Sequence, residues 1–146
     1  MQMGSMPVAV LMQRRVLQHR WVSEAWSVLA VVSNTAGIER QQTVRDTPES
    51  QVYLVPGLDL TLYPDENDGY FENWIAPSPK VFVTWHLRDA RAIPVTVSVS
   101  YSEGTRMLDS GDSSDGVAMA ADIHDWLGAY LRTHYQPRQP RKARPA

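Results

Sequence analysis

No cysteine occurs in these 146 residues. Disulfide frameworks, thiolate nucleophiles, iron–sulfur clusters and cysteine-based zinc sites are therefore excluded. The eight glycines are scattered, and no G-x-G-x-x-G or Walker pattern is present to cradle a phosphate. No G-x-S-x-G elbow presents a nucleophilic serine. The longest mainly apolar stretch, Ala25 to Val32, falls far short of the roughly 20 residues a membrane-spanning helix needs. Met1 to Met6 carry no basic residue, so a secretory signal is not expected there. Arg14-Arg15 has the outline of a twin-arginine signal, but Gln18-His19-Arg20 and Glu24 interrupt the place where its apolar region would follow. The expected location is the cytoplasm, and no cofactor is expected.

Acidic residues are missing after Asp125. Residues 1–131 hold nine basic and sixteen acidic side chains, a balance of −7, while 132–146 hold five basic and no acidic ones. The segment Pro137 to Pro145 contains three prolines and no large apolar residue. Such a composition cannot bury enough surface to offset the entropy of ordering, so 137–146 is expected to be a disordered basic tail. Its charges, Arg138, Arg141, Lys142 and Arg144, are candidates for electrostatic attachment. The plainer alternative is a solubilising tail. With a body this acidic, nucleic acid is an unfavourable partner. Residues 1–6 are expected to be disordered, and 7–136 to form one domain.

Within that domain, alternation of apolar and polar residues dominates. It runs through Ile93, Val95, Val97, Val99 and Tyr101, through Leu58, Leu60 and Leu62, and through Val81, Val83, Trp85 and Leu87. A period of two is the pattern of a strand with one buried face. Trp26 to Val32 is apolar on both sides and reads as a central strand. Val8 to Met12, Gln51 to Val55 and Tyr70 to Ala76 read as weaker strands. Pro56-Gly57 suits a tight hairpin, Pro64 to Gly69 a turn cluster, and 34–50 a long polar loop.

Two helical pieces follow. Ser102 to Asp109 reads as a short helix with Ser102 as its N-cap. Met119, Ile123, Trp126, Leu127, Tyr130 and His134 form one stripe at helical spacing, ended by Pro137. The fold class is α+β, mainly β: an antiparallel meander or barrel-like sheet of about six to eight strands, with the C-terminal amphipathic helix packed on it. A pleckstrin-homology-like arrangement is one analogy.

Asp109 to Gly116 is rich in acids but lacks the ligand spacing and final glutamate of an EF-hand, and reads as a solvated loop between two helices. His19, His86, His124 and His134 have no metal-ligand spacing. Five tryptophans are present. Trp26, Trp85 and Trp126 lie on apolar faces and read as core, whereas Trp21 and Trp74 are less constrained.

The order of several motifs resembles the bacterial domain of unknown function 3305 family. They begin with Arg14-Arg15, Trp21 and Trp26, then Pro56 to Leu60. Asp65-Glu66 follows with Gly69-Tyr70 and Asn73, then Pro79 to Trp85 and Val97 to Glu103. Arg106 to Gly111, Asp115 to Met119, Trp126 and His134 to Pro137 complete the series, which spans about residues 7–144. Members are typically encoded near molybdenum- or tungsten-dependent formate dehydrogenase genes. Some are labelled molybdopterin-guanine dinucleotide biosynthesis proteins. The resemblance implies a non-catalytic accessory protein for biogenesis or assembly of such a dehydrogenase, with a dehydrogenase subunit or maturation factor as partner. Two alternatives stand beside it: a small-molecule barrel holding an anionic cofactor precursor, and a molybdopterin nucleotidyltransferase, which the missing glycine-rich loop disfavours. Candidate interaction residues are Arg14, Arg15, Trp21, Asp65, Glu66, Tyr70, Glu103, Arg106 and Asp109. They are polar or aromatic and fall mostly at expected strand ends and turns.

Overall fold

The computed structural model describes residues 3–18 and 23–136. Seven strands form two antiparallel sheets. The first contains β1 (Gly4–Val16), β2 (Glu24–Ser33), β3 (Gln42–Asp46) and β4 (Ser50–Leu62), in the order β2-β1-β4-β3. The second contains β5 (Lys80–Arg88), β6 (Arg91–Ser98) and β7 (Ser113–Ala118), in the order β6-β5-β7. Helices α1 (Asn67–Trp74), α2 (Tyr101–Asp109) and α3 (Ala121–His134) complete the fold. The mainly β, α+β class with a C-terminal helix stands. The strand order is not a simple meander, because β4 returns beside β1 and β7 crosses to β5.

The sheets meet with β4 against β6 and β2 against β7. Val8, Val10, Met12, Leu60 and Leu62 of the first sheet join Val81 and Val83 of the second in one buried core. Ile123 and Leu127 of α3 close it. Full burial of such a side chain contributes about 1.5–3 kcal/mol, which makes this core the main stabilising term.

Several sequence expectations are corrected. Residues 4–6, expected to be disordered, pair with Leu62, Thr61 and Leu60. Pro56-Gly57 is not a hairpin turn. Gln51–Val55 and Leu58–Leu62 belong to one strand, whose register against β1 slips between Val8 and Val10. Proline removes a ladder donor there and Gly57 takes φ 98°, so the pair makes a bulge. The hairpin turn lies upstream, where Thr47 and Ser50 exchange backbone hydrogen bonds of 2.9 and 3.3 Å. That places β3 inside the expected long loop. Trp26–Val32 lies on an edge of its sheet rather than at the centre.

Tyr70–Ala76 is not a strand. Asn67–Trp74 is helical, because α1 must bury Tyr70 and Asn73 on one side. Asp109–Gly116 does not simply link two helices, since β7 begins at Ser113 and pairs with β5. In β6 the register slips at Val95, opposite Thr84 and Trp85. A slip of one residue turns side chains to the other face. Ala92 and Pro94 are consequently buried, while Val95 is exposed.

Candidate functional site

Helix α2 lies on the outer face of the second sheet. Val81 and Val83 point into the core, so alternation sends Phe82, Thr84 and His86 outward. Gly104 is required where α2 crosses Phe82, because a methyl group there would run into the aromatic ring. The N-cap of α2 is Ser100, not the expected Ser102: the Ser100 hydroxyl accepts from the Glu103 amide at 3.2 Å. Ser100 and Glu103 stand at capping-box spacing, a signal the sequence carried.

The same hydroxyl donates to Glu66 Oε2 at 2.6 Å. Arg106 Nη2 donates to Glu66 Oε1 at 3.0 Å. Glu66 thus ties the turn preceding α1 to both ends of the first turns of α2. Gly69 lets this happen, since a side chain there would collide with the Ser100 hydroxyl. Glu103 faces the same place. Burial pushes its carboxyl above the ordinary range, the neighbouring Glu66 charge adds to this, and Asp65 adds a little more. A Ser98 hydrogen bond and the Arg106 charge act in the opposite direction.

A concavity of about 410 Å³ opens beside this network, floored by Thr84 and Thr96 and walled by Glu103, Arg106 and Met107. The two threonine hydroxyls are hydrogen-bonded to each other. At the far end His86 Nε2 lies 4.0 Å from Asp112 Oδ1. A second concavity of about 250 Å³ lies between Asp59 and Thr61 of β4, with Tyr63 just beyond it, and Val95 to Ser98 of β6. Val95, Thr96 and Glu103 line both. Together they make one trough along the bulged edge strand β6. Asp59, Glu103 and Asp112 line it against Arg106 and His86, and the Arg106 charge is already paired with Glu66.

Of the expected interaction residues, the fold brings Asp65, Glu66, Glu103 and Arg106 together. Tyr70 reaches the same region from inside, being 1% exposed. Its hydroxyl accepts from the Tyr63 amide at 3.0 Å, and burial holds the phenol in its neutral form. It is a core residue and cannot touch a partner. Asp109 is exposed at the end of α2 and does not pair with Arg106, whose partner is Glu66.

Arg14 and Arg15 lie at the far end of β1 from Gly4, which pairs with Leu62 near the trough. There Arg14 pairs with Glu24 and donates to Gln51 Oε1 at 2.7 Å. Trp26 and Tyr53 stack beside it with ring centroids 6.0 Å apart. Trp21 and the tail residues Arg138, Arg141, Lys142 and Arg144 lie outside the described residues. Sequence reasoning missed Asp59, Thr84, His86, Thr96 and Asp112. Nothing local marks them, because strand pairing alone assembles them.

The fold and trough define a two-sheet antiparallel β protein with a helical layer and an acidic surface groove. Residues 7–144 match the family model described as "Protein of unknown function (DUF3305)", and the chain belongs to that family. Neither a curated protein nor a solved structure matches it. Among the described residues, no helix is long and apolar enough to cross a membrane.

Proposed function

We propose that the chain is a non-catalytic accessory protein that holds an extended, basic segment of a partner protein in the trough along β6. The observation that carries this is the continuity of the two concavities past Glu103. An edge strand offers backbone groups to an extended segment, and flanking side chains select its sequence. The acidic excess favours lysine or arginine in that segment and speeds encounter. The assignment of the partner to a molybdenum or tungsten formate dehydrogenase, as a subunit or a cytoplasmic maturation factor, rests on the family resemblance alone.

The test is co-purification. Tagged chain expressed with the dehydrogenase genes should retain a dehydrogenase subunit or maturation factor. Reversing charge with Glu103→Lys and Asp59→Lys should release it while the fold persists by circular dichroism. Unchanged dehydrogenase activity in a deletion strain, with no subunit retained, would reject the proposal.

A further inference from the structure

At the tip of the β5–β6 hairpin, Arg88 and Arg91 face each other as the last residue pair. Like charges placed opposite across a ladder repel. Among the described residues the ion pairs involve Arg14, His86 and Arg106, not these two. The turn between them is Asp89-Ala90, with φ of 52° and 61°. Two-residue turns of this kind favour glycine at the second position, yet alanine stands there and the tight tip is kept. Arg91 is already ordered, its guanidinium carbon lying 5.1 Å from the centre of the Tyr53 ring. A concavity of about 310 Å³ opens at the tip, lined by Arg88, Asp89, Arg91 and Ile93. Asp89 makes no ion pair with either arginine.

Two guanidinium groups that line one hollow without a carboxylate partner are an arrangement that an added dianion would stabilise. The planar donor forks of arginine match the tetrahedral oxygens of phosphate. We infer that this hairpin tip binds a phosphate-bearing small molecule between Arg88 and Arg91. The site is separate from the trough, which lies on the other side of Val95, and does not depend on the accessory-protein reading.

Full-length protein titrated with inorganic pyrophosphate, followed by amide chemical shifts, tests it. Saturable shifts are expected at Arg88 to Arg91 and Tyr53. Arg88→Gln and Arg91→Gln should each weaken binding by about tenfold, the effect of losing one charge-assisted hydrogen bond. Arg106→Gln should leave affinity unchanged. Ala90→Gly relaxes the turn and should retain binding, which separates loss of the site from loss of the hairpin. Sodium chloride of equal ionic strength reproducing the shifts would overturn the inference. So would a folded Arg88→Gln/Arg91→Gln variant that binds pyrophosphate undiminished.

Discussion

Trp74 and His124 hold each other reciprocally. The Trp74 indole N–H donates to the His124 carbonyl at 3.1 Å, and His124 Nε2 donates to the Trp74 carbonyl at 3.0 Å. Their rings stack 5.0 Å apart at 8°. The pair joins the end of α1 to the first turn of α3, and Gly128 leaves room for the indole. His124→Ala removes a hydrogen bond and the stacking together. A loss of about 1–3 kcal/mol is expected, read as a lower midpoint in urea unfolding. A midpoint unchanged within error would show that the pair is incidental.

Asn73 is fully buried and satisfies three backbone groups at once. Its amide donates to the carbonyls of Lys80 at 2.7 Å and Val99 at 2.8 Å, and its oxygen accepts from the Lys80 amide at 2.9 Å. Asn73→Ala strands these groups away from water. The expected cost is about 3 kcal/mol or more, since each unmet buried group costs about 1–3 kcal/mol. Thermal unfolding of the variant checks this.

Gly104 admits the Phe82 ring against the backbone of α2. Gly104→Ala gains helix propensity of about 1 kcal/mol but forces the helix off the sheet, at about 1–3 kcal/mol for overpacking. Net destabilisation is expected, and Phe82→Leu in the same background should recover part of it. Stabilisation by Gly104→Ala alone would show that α2 is not seated on Phe82.

Glu103 sets a pH dependence. Its carboxyl holds its proton more tightly in the folded protein than in the unfolded chain, first because of burial and then because of Glu66. The folded state therefore binds more protons in the window between the two values, and stability falls as pH rises through it. The contribution is fully present below the ordinary carboxylate range and lost above the raised folded value. Glu103→Gln removes the cost of the charge. It should melt higher than the wild type at neutral pH, with the difference shrinking as the solution is acidified. A difference that grows in acid would reverse the assignment.

The alternating residues made much of the sheet legible, since 58–62, 81–87 and 93–98 all fall in strands. What alternation could not show was slippage. Pro56-Gly57 looks like a turn until β1 is laid beside it, and Val95 looks inward until β5 fixes the register. Helix α1 was hidden for a different reason. Its buried face is Tyr70 and Asn73 rather than an aliphatic stripe, so its helical period is faint. At the trough, Glu103 and Arg106, with Glu66 behind them, were legible as charges near turns. Their convergence depends on Gly69 and Ser100, two small residues whose value lies only in how closely they let the helices approach.

Asp115 Oδ2 accepts from the Val28 amide at 2.8 Å and from the Trp85 indole at 3.1 Å. At Val28 the backbone of β2 is thus engaged by a carboxylate from the neighbouring sheet. The opposite margin, β3, is exposed along its whole length, with Val44 59% accessible. Recruitment of a foreign strand to the first sheet is consequently one-sided. Two molecules joined through β3 would end the first sheet at β2 on both sides, so growth of that sheet stops at a pair instead of propagating into a fibre.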